Sequence, residues 1–181
     1  MQERFMKLAI DEARDGMNKN LGGPFGAVIV RDNQVIATGS NRVTSTCDPT
    51  AHAEIVTIRN ACSTLKDFSL RGCQLYTSCE PCPMCLGAIF WARLDRVYFA
   101  ATRHDAAEIN FDDHMFYEEI SKDLDKRHIP MQQFMQAQAL QVFKEWGGPG
   151  EPWVRYYGLP VEIGAGQMDK YEDYFDPTGQ L

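Results

Sequence analysis

Long apolar runs are missing from this 181-residue chain, and none approaches the roughly 20 residues that a membrane span needs. Charges interrupt the opening Met1-Gln2-Glu3-Arg4-Phe5-Met6-Lys7 too early for the apolar region of a signal peptide. The expectation is therefore a cytoplasmic protein with no membrane partner. Positive charge is scarce: 18 Lys and Arg against 25 Asp and Glu leave a net charge of −7. Such a balance disfavours nucleic acid and anionic lipid as partners, although it leaves room for a local basic patch. Compositional extremes are absent too. With 44% hydrophobic and 24% charged residues, collagen-like, fibrous and wholly disordered classes are excluded. A chain of this length buries a full core without disulfide staples. Its six cysteines (Cys47, Cys62, Cys73, Cys79, Cys82, Cys85) could form three bridges. Without a secretory signal, thiols or metal ligands are favoured.

What is present reads as alternating helices and strands. Phe5, Leu8, Ala9, Ala13 and Met17 recur at helical spacing, so a helix is expected over about 5–17, broken by Gly22-Gly23-Pro24. Ala27–Val30 and Val35–Ala37 flank Asp32-Asn33, as the arms of a hairpin would. After a polar loop from Asn41 to Pro49, Thr50 can cap a helix running from Ala51 to about Leu65, with Ile55, Ile58, Ala61, Cys62 and Leu65 as its buried stripe. A strand over Gln74–Thr77 leads to a helix whose first turn holds Pro81 and which runs to about Ala92. Arg96–Ala100 is another strand. An acidic connector follows from His104 to His128, with a short helix near Met115–Ile120. Ile129–Met135 gives a weak strand signal, and Ala137–Trp146 reads as helix, ended by Gly147-Gly148-Pro149. The expected fold is a three-layer α/β/α sandwich with a mixed sheet of about five strands, the Ala51 and Cys82 helices serving as crossovers. The last 35 residues hold seven Gly and four Pro, against regular structure, yet also Trp153, Tyr156, Tyr157, Tyr171, Tyr174 and Phe175. Residues 1–146 thus read as one domain. Residues 147–181 read as an extension packing on that domain or on a partner subunit, with an exposed tail as the alternative.

Chemistry concentrates in His52-Ala53-Glu54 and Pro81-Cys82-Pro83-Met84-Cys85. One imidazole and two thiolates, His52, Cys82 and Cys85, make a three-ligand zinc set with one position left for water. Cys79 could close the site as a fourth ligand, which would make it structural. Cys82 and Cys85 are spaced i,i+3 and so share one helix face, at an N-terminus whose dipole favours thiolates. His52 and Glu54, two residues apart, would diverge by about 200° in mid-helix and converge only at a first turn. Glu54 then stands beside the metal without binding it, placed to move a proton from attacking water to a leaving amine. An exposed first-turn acid is the plainer alternative. His104, His114 and His128 lack ligand-like spacing and read as surface residues.

H-x-E followed by P-C-x-x-C is the zinc deaminase signature. Together with Gly22-Gly23-Pro24-Phe25-Gly26-Ala27, Asp48-Pro49-Thr50-Ala51-His52-Ala53-Glu54 and Leu75–Cys85, it resembles the cytidine deaminase-like superfamily. Within it, Gly87–Arg93 and Phe111-Asp112-Asp113 are most similar to the small bacterial guanine deaminases, over about residues 5–145. The resemblance implies one zinc per chain held by His52, Cys82 and Cys85, with Glu54 as proton shuttle. It implies a homodimer, in which a C-terminal segment crosses to the partner, and hydrolysis of free guanine to xanthine and ammonia. Asn41 would hydrogen-bond the base, or merely hold its loop. Asp113, or less readily Asp112, would accept from the base, or belong to an acidic turn. Phe25 and Trp91 would line the pocket, Trp91 alternatively packing in the core, and Tyr156 would close it. Rival readings are a tRNA adenosine deaminase, a deaminase of cytosine or another aminated ring, and a zinc-stabilised interaction module without catalysis.

Overall fold

The computed structural model describes residues 2–146, apart from the side chain of Trp146. Two compact units meet in sequence at Pro130–Met131. In the first, α1 (Gln2–Asn18) precedes a hairpin of β1 (Gly26–Arg31) and β2 (Gln34–Ser40), followed by one turn of helix, α2 (Val43–Thr46). Then come α3 (Ala53–Leu65), β3 (Cys73–Cys79), α4 (Pro83–Trp91), β4 (Arg96–Ala101), α5 (Arg103–Glu108), α6 (His114–Ser121) and a 3-10 turn at Leu124–Lys126. The described part of the second unit carries α7 (Gln136–Trp146).

The hairpin closes through Asp32 and Asn33, with φ of 48° and 66°. Two left-handed residues are what a type I′ turn requires, and Asp and Asn tolerate that region. The sheet order is β2-β1-β3-β4, antiparallel except for the β3–β4 pair. The crossover through α4 joins that parallel pair. The one through α3 joins β2 to β3, which run the same way with β1 between them.

Strand alternation sorts the core into two faces. Val28, Val30 and Tyr76 pack with Phe5 and Ala9 of α1. Ala27, Ile29 and Leu75 pack with Ala53 and Ala61 of α3 and Ile89 of α4. Helix, sheet and helices therefore form the expected three layers. Gly26 allows α1 its close approach, because a Cβ there would strike the Ala9 carbonyl and the Ala13 amide.

Several expectations need correction. Among the described residues the sheet has four strands, and Ile129–Met135 forms none. Pro130 has no N–H to give a ladder, and Ile129 and Phe134 are exposed where a half-buried strand would cover them. Thr50 does not cap α3. Its N–H and hydroxyl both bond Asp48 Oδ1, and the helix begins two residues later with His52 at the N-cap. Likewise α4 begins at Pro83, after Cys82, rather than around Pro81. The polar loop contains α2, and the acidic connector contains α5. That helix starts with a capping box in which Thr102 and Asp105 bond reciprocally.

Candidate metal centre and pocket

One end of the sheet supplies the whole site. β2 ends at Ser40, just before Asn41, and β3 ends at Cys79, just before Glu80. β4 ends at Ala101, two residues before Arg103, and Phe25 immediately precedes β1. Helices α3 and α4 both begin here. Extended backbone at the two N-caps, His52 (ψ 157°) and Cys82 (ψ 167°), turns their side chains toward each other ahead of the first helical turns.

His52, Cys82 and Cys85 form the one group of this kind among the described residues, their ligand atoms all within 4.8 Å of one another. His52 Nδ1 lies 3.5 Å from Cys82 Sγ and 3.5 Å from Cys85 Sγ. A tetrahedral zinc with ordinary Zn–N and Zn–S bond lengths holds its nitrogen and sulfur ligands about 3.6 Å apart, so the donor set and its spacing fit the ion. Cys79 is not part of the group; its thiol donates to the Thr102 carbonyl at 3.6 Å, and burial raises its pKa to about 11. The closed four-ligand alternative thereby loses its candidate.

The electrostatics follow from burial and pairing. Hydrogen bonds from the Cys85 thiol and from His52 lower the Cys82 pKa to about 4. As donor in that pair, and buried, Cys85 is pushed up. The Cys82 sulfur in turn raises His52. Glu54 is 6% exposed, and burial raises its carboxyl above the usual carboxylate range. Its Oε2 lies 3.4 Å from Cys85 Sγ, and its Oε1 accepts from Thr77 Oγ1 at 3.2 Å. The exposed-acid alternative for Glu54 does not describe this geometry.

Beside these residues lies a cavity of ≈ 420 Å³. Phe25, Asn41, His52, Glu54, Asp112 and Asp113 all line it. Phe25 packs edge-on against Phe111, ring centroids 4.9 Å apart. Asn41 is 5% exposed and its Oδ1 accepts from the Gly23 and Val43 amides, so only Nδ2 remains to serve the cavity. Asp112 Oδ1 accepts from the His114 amide. Asp113 stands at the N-cap of α6 without making a cap bond, and burial raises its carboxyl pKa. Of the two acids it is the half-buried one, and its carboxylate is not spent on capping α6. Trp91 is placed elsewhere. It ends α4, 67% exposed, and neither lines the cavity nor joins the core. Tyr156 lies outside the described residues. Glu80 and Arg103, which sequence reasoning did not select, also line the cavity. Glu80 Oε2 accepts from the Arg103 amide, and the Arg103 guanidinium sits 4.6 Å above the Tyr117 ring. Only the neighbouring Pro81-Cys82 motif could have pointed to Glu80.

The family profile described as cytidine and deoxycytidylate deaminase zinc-binding region matches residues 1–101. A guanine deaminase from Bacillus subtilis is 53% identical over 144 residues, 80% of this chain and 92% of that protein. The X-ray structure of guanine deaminase from that organism has a TM-score of 0.79 at 52% identity, covering 81% of this chain and 93% of the other. A tRNA-specific adenosine deaminase from Agrobacterium fabrum is 48% identical over 103 residues, 56% of this chain and 67% of that protein. Fold, ligand spacing and these matches agree: the chain belongs to the cytidine and deoxycytidylate deaminase zinc-binding family.

Proposed function

We propose that this protein hydrolyses the free base guanine, giving xanthine and ammonia. The observation that carries the reading is the half-buried Asp113 carboxylate on the wall of a cavity that also holds Glu54 and the metal-ligand cluster. A purine is flat, apolar on its faces and edged with donors and acceptors. Phe25, the Asn41 Nδ2 donor and an acidic acceptor suit it, in a cavity of a size common for small-molecule sites. A carboxylate accepts from a guanine ring N–H, whereas the corresponding ring nitrogen of adenine is itself an acceptor. The likeness to the Bacillus subtilis enzyme supports the same substrate. A match of 144 residues in a chain of 181 takes in Asn41 and Asp113 wherever it begins.

His52, Cys82 and Cys85 would hold the zinc, which when bound supplies the Lewis acidity that makes water nucleophilic at neutral pH. The other residues do the remaining work. Glu54 takes a proton from the attacking water and delivers it toward the departing nitrogen. The C–N bond to the exocyclic amine breaks as a C–O bond forms, and ammonia leaves. Its raised pKa suits a group that must both take and give a proton. Asp113 and the Asn41 Nδ2 orient the ring, and Phe25 packs on it. Asp112 serves α6 rather than the base.

The test is a panel of guanine, adenine, cytosine, adenosine and tRNA, read by ammonia release from the zinc-loaded protein. Guanine is expected to react fastest. Release from another member with none from guanine ends the reading. Adenosine deamination in tRNA is the alternative supported by the Agrobacterium fabrum relative. The net charge of −7 disfavours it, and a gel shift with tRNA tests it separately.

The same reading includes a cytoplasmic homodimer. Exposed Leu86, Phe90 and Trp91 on α4 and Phe99 on β4 supply apolar surface for the contact. Residues 147–181 would form the extension, Tyr156 closing the cavity of the same or the partner chain. Sedimentation at micromolar concentration should return twice the chain mass. No helix among the described residues is long and apolar enough to cross a membrane.

A further inference from the structure

Five polar or charged residues are buried among those described: Ser40, Asn41, Glu54, Thr57 and Thr77. The two threonines use their hydroxyls differently. Thr57 Oγ1 points to backbone carbonyls, that of Ala53 in its own helix at 2.7 Å and that of Ala27 in β1 at 3.3 Å. Thr77 is 1% exposed in the middle of β3, paired with Ala27 on one side and Phe99 on the other. Its hydroxyl crosses from the sheet to α3 and reaches Glu54 Oε1 at 3.2 Å. An ionised carboxylate only accepts, so the hydroxyl is the donor.

The two oxygens of Glu54 thus have different neighbours. Oε1 faces Thr77, and Oε2 lies beside Cys85, next to the ligand cluster. Cys85 has no proton to donate once it ligates a metal as thiolate. Thr77 is then the one side-chain hydroxyl bound to the carboxylate among the described residues. We propose that Thr77 is the positioning residue of the site: by holding Oε1 from the sheet, it keeps Oε2 turned to the metal cluster and free for proton transfer. The inference rests on the role given to Glu54 above. It does not depend on which base is the substrate.

The experiment compares Thr77→Val, Thr77→Ala and Thr77→Ser in the zinc-loaded full chain. Two readouts are taken: kcat and KM for ammonia release, and the infrared carboxyl band that Glu54→Gln removes. Thr77→Val keeps the shape and loses the donor. Expected are normal zinc content, KM within about twofold, kcat lowered about 10- to 100-fold and a shifted Glu54 band. Thr77→Ser should restore kcat to within about threefold and return the band. If Thr77→Val packs poorly, Thr77→Ala against Thr77→Ser draws the same contrast. An unshifted band, a serine variant as impaired as the valine one, or a loss confined to KM overturns the proposal. Should the parent protein release no ammonia from guanine, the substrate reading falls, while the band still decides the role of Thr77.

Discussion

The two sides of the cavity are built in opposite ways. The metal side hangs on the starts of α3 and α4, packed against the middle of the sheet. Cys85 and Glu54 are buried there, and Ala53 and Ile89 lie in the main core cluster. The opposite wall, residues 103–121, has a single buried residue in α5 and none in α6. Phe111 against Phe25 and the Arg103 amide on Glu80 tie it back, and Arg103 over Tyr117 braces it internally. Reactivity sits on scaffold that cannot shift without disturbing the core. The proposed base-recognising acid sits on a wall that can be rebuilt without touching it. A shared metal signature with divergent substrates is the expected outcome of such a division.

Substitutions should break the two sides differently. The largest effect belongs to the ligands: Cys85→Ser should abolish zinc binding and turnover of every substrate, checked by metal analysis and ammonia release. Glu54→Gln comes next. Zinc should stay, while kcat falls by about 10²- to 10⁴-fold, the usual range for a lost general acid–base group. Retained turnover in that variant removes Glu54 from the mechanism. On the far wall, Asp113→Asn should leave zinc and folding intact and raise KM for guanine by roughly 10- to 100-fold, the scale of one lost charged hydrogen bond. Asp112→Asn should cost less than about threefold, since an Asn oxygen still accepts from the His114 amide. If both acid variants lose KM equally, the division of labour between the two residues is wrong.

A chemical probe sharpens the same contrast. In zinc-free protein the Cys82 thiol, at about 4, is ionised at pH 6, whereas Cys79, at about 11, is not. A haloacetamide should therefore label Cys82 well before Cys79 at pH 6, and labelling should fade as pH falls toward 4. Zinc should protect Cys82. Peptide mass mapping reads the outcome, and preferential labelling of Cys79 would contradict it.

The metal side was also the more legible in the sequence. His52, Cys82, Cys85 and Glu54 lie within two short motifs next to recognisable helix starts, so local spacing encodes most of their geometry. The hairpin was legible because Asp32-Asn33 names its own turn. The far wall was less so. Asp112 and Asp113 are chemically identical in sequence, and only the fold distinguishes them, through the His114 amide on Asp112 and the partial burial of Asp113. Asn41 looked free to accept as well as donate until its oxygen proved committed to Gly23 and Val43. Trp91 is a different case. The resemblance implied a place in the pocket lining, with core packing as the alternative, and α4 leaves the side chain exposed at its end. Helix starts were misjudged by about two residues, because a local threonine or proline signal is weaker than the tertiary contacts that fix the last extended residue.

Helix α5 fastens its own first turn through Thr102 and Asp105, whereas neither His52 nor Cys82 makes a side-chain cap bond for the helix it precedes. Those two side chains turn into the metal-ligand cluster instead. Chelation should therefore act as a local denaturant, loosening the openings of both crossover helices and exposing their amides to exchange while α5 stays protected.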